Sequence, residues 1–120
     1  MALGGRFRET LSSWANSSQQ HARDMRETYA HADVDAIGDA QDRSPVRLRG
    51  TLRTVTLRPR GGVPALEAEL YDGTGSITVI WLGRRRIGGI QPGRSLQVSG
   101  RIGRHDGVRI MFNPRYELMP

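Results

Sequence analysis

All eighteen Lys+Arg residues of this 120-residue chain are arginine, and against 12 acids they leave a net charge of +6. A guanidinium presents five donors in a planar fork that suits phosphate oxygens and base edges, so clustered arginines are candidates for phosphate contact. Arginine without lysine also follows from a GC-rich coding sequence, so charge alone names no target. The densest cluster is Arg84-Arg85-Arg86. Two stretches combine arginine with glycine, Arg58-Pro59-Arg60-Gly61-Gly62-Val63-Pro64 and Gly103-Arg104-His105-Asp106-Gly107. Glycine there lets backbone approach a phosphate closely, or simply makes the turns. Arg47, Arg49 and Arg53 alternate with an apolar side, and Arg101 alternates with Val98 and Ile102, so these four are expected on polar strand faces.

Base stacking needs aromatics, and they are few. Tyr71 shares the parity of Glu67 and Glu69 and is the best candidate to face outward. Trp81 follows Ile77 and Val79, which predicts a core position, while its apolar neighbours Ile80 and Leu82 leave an exposed stacking role open. Phe112 shares parity with Val108 and Ile110 and is expected in the core, and Tyr116 is expected to tuck the tail back. Glu67 and Glu69 are expected to pair with Arg47, Arg49 and Arg53 across strands, which moves phosphate contacts outward to the loops.

Other chemistries are disfavoured. The chain has no cysteine, which excludes thiol catalysis and zinc–thiolate sites, and its three histidines, His21, His31 and His105, lack ligand spacing. No serine lies in a nucleophile-elbow pattern. The expectation is therefore a binder without metal or cofactor, and not an enzyme. No apolar run is long enough to span a membrane and no apolar leader follows the N-terminus, so a cytoplasmic location is expected.

Charge divides the elements that must position these residues. Residues 1–44 hold 5 arginines and 7 acids, net −2, whereas 45–120 hold 13 arginines and 5 acids, net +8. Phe7, Leu11 and Trp14, then Ala22, Met25, Tyr29 and Ala32, recur at spacings of three and four, which predicts two helical segments separated at Asn16-Ser17-Ser18, with Ser18 as an N-cap. The division expected is a helical extension over 1–34, a linker or lead-in over 35–44, and a barrel over 45–120. Within the last, a first strand from Pro45 to Arg58 shifts parity after Leu52, implying a bulge that, with Gly50, bends one long strand across both halves of a barrel. Leu66–Tyr71 and Ser76–Trp81 flank the turn Asp72-Gly73-Thr74-Gly75 as a hairpin. A fourth strand carries Leu96, Val98 and Ile102. A fifth runs from Val108 to Asn113, where Pro114 should end it.

A long bent strand, a hairpin, a connector and a second hairpin is the order of a five-stranded OB barrel, a Greek-key fold. The runs Val46-Arg47-Leu48-Arg49-Gly50, Leu70-Tyr71-Asp72-Gly73-Thr74-Gly75, Ile80-Trp81-Leu82, Pro92-Gly93 and Val98-Ser99-Gly100 resemble OB-fold nucleic-acid-binding domains. They are similar to the wedge domain of RecG-type helicases and to the anticodon-binding OB group. Pro64–Leu70, Trp81–Arg86 and Asn113–Leu118 look most like short stand-alone actinobacterial OB-fold proteins. The resemblance implies an all-β, five-stranded OB-fold barrel with an α-helical N-terminal extension. Its implied ligand is single-stranded or structured DNA or RNA, held on the face of strands two and three and on the loops flanking it. The expected contacts are Arg47, Arg49, Arg53, Arg58, Arg60, Tyr71, Trp81, Arg84, Arg85, Arg86, Arg101, Arg104 and His105. No helicase motor accompanies them, because a phosphate-binding loop of the Gly-x-x-x-x-Gly-Lys kind needs a lysine. The alternative is an OB fold used as a protein-interaction or oligomerisation module, with the N-terminal helical stripe meeting a partner or a second copy.

Overall fold

A computed structural model describes the backbone of residues 2–120 and the side chains of residues 14–120. The chain is mostly β, preceded by one helix. Helix α1 spans Ala2–Tyr29 without interruption. The two segments expected from sequence are thus one. Asn16, Ser17 and Ser18 carry only modest helix penalties and lie exposed on the helix, where neither proline nor glycine forces an end. Phe7 and Leu11 of the expected stripe lie outside the described side chains. Trp14 is 72% exposed, and Tyr29, in the last turn, is buried.

The segment after α1 contains a single 3-10 turn, Ile37–Asp39, whose Ile37 is fully buried. Seven strands follow: β1 (Pro45–Leu57), β2 (Ala65–Tyr71), β3 (Ser76–Leu82), β4 (Ser95–Arg101), β5 (Gly103–His105), β6 (Val108–Phe112) and β7 (Arg115–Leu118). They form one sheet in the order β5-β6-β3-β2-β1-β4-β7. The hydrogen-bonded ladder is therefore open, where five strands in a closed barrel were expected. Two features account for the difference. The expected fourth strand is interrupted at Ile102, with β4 pairing β1 and β5 pairing β6. Beyond Pro114 the tail resumes as β7 on the other edge of β4. Because Ile102 alone separates β4 from β5, a strand at one end of the pairing order and the strand next to the other end lie within two Cα steps of each other, and the sheet must curl.

Strand β1 belongs to both halves of that curl. Pro45 to Thr51 pairs with β4, Thr51 to Leu57 pairs with β2, and the register shifts between Leu52 and Thr54, leaving Arg53 as the bulged residue. At the crossover, a Cβ on Gly50 would stand 2.6 Å from the Tyr71 carbonyl oxygen, so glycine permits the close strand approach. Inside the curl lie Leu48, Leu52, Leu70, Val79, Leu96, Val98, Ile102 and Met111.

One parity expectation is reversed. In parallel register with β3, Val79 lies opposite Met111 and Ile80 opposite Phe112. Val79 faces the core, so Met111 does too, and Phe112 turns outward, 47% exposed. Ile110 shares the outer side with Phe112 but is covered there, in a small second cluster with Ala65 and Ile80.

Candidate nucleic-acid interface

The outer face of β1, β2, β3 and β6 is built in rows. Thr54, Glu69, Thr78 and Ile110 lie abreast, as do Thr56, Glu67, Ile80 and Phe112. Successive outward residues on a strand follow the two-residue repeat, so threonines and glutamates form a polar floor. Two hollows open on it. One, of about 210 Å³, is lined by Thr54, Thr56, Arg58 and Glu67, and the other, of about 340 Å³, by Ser76, Arg104 and Arg109. Both share Glu69 and Thr78, so they read as one groove crossing the sheet.

Arginines stand at both ends, but the carboxylates already engage them. Arg58 and Arg60, in the β1–β2 loop, lie 3.8 and 3.9 Å from the Glu67 carboxylate. Arg60 also lies over the Phe112 ring, 5.8 Å from its centroid. At the other end Arg104 is paired with Asp42, and His105 Nε2 lies 3.5 Å from Asp106. In mid-floor the bulged Arg53 pairs with Glu69 and places its guanidinium 3.9 Å from the centroid of Tyr71. The cross-strand glutamate pairing thus involves Arg53, Arg58 and Arg60. Arg47 and Arg49 are not part of it: their half of β1 is in register with Ser99 and Gln97 of β4.

Tyr71 is on the outer side, as its parity predicts, but it is occupied within the chain. His21 of α1 stacks on its ring at 6.4 Å between centroids and 16° between planes, and Arg53 contributes a cation–π contact. Trp81 is buried, only 5% exposed, donates its indole N–H to the Pro114 carbonyl at 3.2 Å, and packs edge-on against Tyr116. Its ring has no free face for a base, because Pro114 and Tyr116 fold β7 back over it. Arg84, Arg85 and Arg86 are exposed after Gly83, whose N–H bonds to the Pro64 carbonyl and ties this connector to the β1–β2 loop end of the groove.

Sequence reasoning missed Arg109. Its guanidinium donates to the carbonyls of Ile37 at 2.8 Å, Ala40 at 3.2 Å and Ser76 at 3.3 Å, clamping the pre-β1 segment against the hairpin at one end of the groove. Along β6 it shares the parity of Met111, and its three acceptors come from segments far away in sequence, so no local pattern gives its role. Asp72 holds the turn from inside. One carboxylate oxygen accepts from the N–H and hydroxyl of Thr74 at 2.8 and 2.6 Å, and the other accepts from the N–H of Ile37 at 2.9 Å.

No protein-family model matches the chain, and no curated protein matches it. Among solved structures it is similar to a replication protein A heterotrimer bound to single-stranded DNA, with 14% identity and a TM-score of 0.52 over 80% of this chain and 75% of that one. It is also similar to RecG bound to a three-way DNA junction, with 19% identity and a TM-score of 0.55 over 82% of this chain. That match spans only 14% of the RecG chain. At these identities the likeness is one of fold, and the fold is the OB fold.

Proposed function

We propose that this chain is a cytoplasmic OB-fold protein that binds nucleic acid, single-stranded or structured DNA or RNA, and that it is a binder and not an enzyme. In this reading the curled sheet serves as a five-stranded Greek-key barrel in which β4 and β5 count as one interrupted strand. The observation that carries it is the groove across β1, β2, β3 and β6, floored by Thr54, Thr56 and Thr78 and bounded by arginines of two loops. Threonine hydroxyls and arginine forks are donors for phosphate and sugar oxygens, and their sequence-tolerant contacts suit a strand of any composition. The similar structures are of a replication protein A heterotrimer bound to single-stranded DNA and of RecG bound to a three-way DNA junction, the latter matched over a small part of its chain. Binding is weak, since Glu67 and Glu69 compete for the groove arginines and Tyr71 and Trp81 offer no open stacking face.

The test is a titration of a fluorescent oligonucleotide at several salt concentrations. With about five phosphates neutralised, log K is expected to fall against log salt with a slope near −3.5. A flat slope, or no binding at low salt, counts against the reading.

A further inference from the structure

Resting on that reading, we propose a second nucleic-acid contact surface: the outer face of β4 with β7 and the first half of β1, taking the phosphodiester backbone of the same strand. Arg47 lies opposite Ser99, and Ser99 opposite Arg115, so the two arginines flank a serine across three strands. Arg49 lies in the next row beside Gln97, with Glu117 beyond it, and Arg101 lies in the row on the other side, opposite Pro45. The burial pattern puts all four arginines on the outer side, with Val46, Leu48, Leu96 and Val98 pointing inward.

The two faces differ in how their arginines are satisfied. On the groove floor and in its two flanking loops, Arg53 and Arg104 pair with carboxylates and Arg58 and Arg60 lie 3.8 and 3.9 Å from Glu67, while the connector arginines Arg84 to Arg86 make no ion pair among the described residues. Among the described residues, Arg47, Arg49, Arg101 and Arg115 make no ion pair. Where they are bonded at all, their partners are neutral: Arg49 Nε donates to Gln97 Oε1 at 2.8 Å, and Arg101 donates to the Arg43 carbonyl at 3.0 Å. Asp33 and Asp35 line a hollow with Arg47 and Ser99, but the Asp35 carboxylate accepts from the Arg47 backbone N–H at 3.4 Å and leaves the guanidinium alone. A phosphate arriving at Arg53, Arg58, Arg60 or Arg104 competes with a carboxylate, whereas one arriving here competes only with neutral partners, water and counterions. The second face is therefore the better phosphate acceptor, charge for charge.

Spacing and chemistry favour nucleic acid over a lipid surface. Arg47 and Arg49 stand about 6.8 Å apart along β1, and Arg47 and Arg115 about 9.6 Å apart across two ladder steps. The side chains between them are Ser99 and Gln97. The exposed large apolar residues, Trp14, Leu57, Val63, Leu82, Val108, Phe112 and Tyr116, are not on this face, so it has nothing to insert between acyl chains. Because β1 serves both faces, a strand leaving the groove can continue onto this one.

The experiment uses the full chain and a fluorescent single strand of about 20 nucleotides, longer than the roughly 4 to 16 that one OB fold occupies. The variant Arg47→Ala/Arg115→Ala is expected to make the salt slope about 1.4 shallower, and Arg47→Lys/Arg115→Lys, which keeps both charges, is expected to keep the wild-type slope. Both sites are exposed strand positions, and matching thermal unfolding curves confirm that the fold is kept. A wild-type protein that binds while the alanine variant keeps its slope overturns the second surface and leaves the groove reading standing. No oligonucleotide binding by the wild type overturns both. Binding only to phosphatidylserine vesicles, lost in the alanine variant, overturns the nucleic-acid assignment in favour of lipid.

Discussion

Asp72 joins two segments that are far apart in the chain. It is only 4% exposed, and its carboxylate accepts from Thr74 within its own turn and from the Ile37 N–H of the 3-10 turn. Removing such an acceptor leaves buried donors unmatched, which costs more than an average hydrogen bond is worth. Asp72→Ala is expected to lower stability by about 3 kcal/mol in chemical denaturation, and Asp72→Asn, which keeps one acceptor oxygen, by about 1 kcal/mol. Equal losses for the two would show that the carboxylate's hydrogen bonds are not what matters. The turn role of Asp72 was legible in the sequence, because aspartate before Gly-Thr-Gly accepts from the backbone two residues on. Its bond to Ile37 was not, since nothing local links positions 35 residues apart. Tyr71 and Trp81 divide in the same way: parity sorted one outward and one inward, and only packing set His21 and Arg53 against Tyr71.

At the scale of elements, α1 is held to the sheet by its last two turns. The Tyr29 hydroxyl bonds to the hydroxyls of Thr51 and Ser95, the latter at 2.7 Å, which are residues of β1 and β4. Arg26 reaches the Gly73 carbonyl at 3.4 Å. The helix backbone passes so close to the hairpin turn that a Cβ on Gly73 would overlap the Ala22 carbonyl oxygen and lie 2.8 Å from the Arg26 nitrogen. Gly73 also has φ +91°, a region that side chains disfavour. Gly73→Ala is expected to loosen the helix there, raising amide exchange about tenfold or more over residues 20–29 while β1 to β4 keep their protection. Unchanged exchange in that window would mean the turn gives way and the helix does not. The part of the helix stripe formed by Ala22, Met25 and Tyr29 was readable from its spacing, whereas Trp14 and Ala32 are exposed. The continuity of the helix through Asn16 to Ser18 was not readable, since polar residues of modest propensity permit either a break or a turn of helix. The bulge in β1 was readable because a slip in alternation has few other causes.

The whole molecule carries arginines on two faces that meet along one strand. Arg58 pairs with Glu67 at the groove, whereas Arg47 and Arg115 share no partner with it. Distant sites without common partners contribute additively. Combining Arg58→Ala with Arg47→Ala/Arg115→Ala is therefore expected to flatten the salt slope by about 2.1, the sum of about 0.7 and about 1.4. A triple variant no flatter than the double would show that one strand does not occupy both faces.

Alternation, turn residues and the charge step near Ser44 were enough to mark β1 and the β2–β3 hairpin, locate the bend and place the positive charge in residues 45–120, but not to find the break at Ile102, the β6 parity or β7. The features marked are local properties, written in the period of a strand and the chemistry of a turn. The division of that charge was decided only in three dimensions. Register sends Arg53 and the β1–β2 loop to the glutamates of β2, and it sends Arg47, Arg49, Arg101 and Arg115 to a face without carboxylate partners among the described residues. Alternation tells a residue which side of its own strand it occupies. Which residue lies across from it, and whether that residue cancels its charge, depends on how distant strands pair.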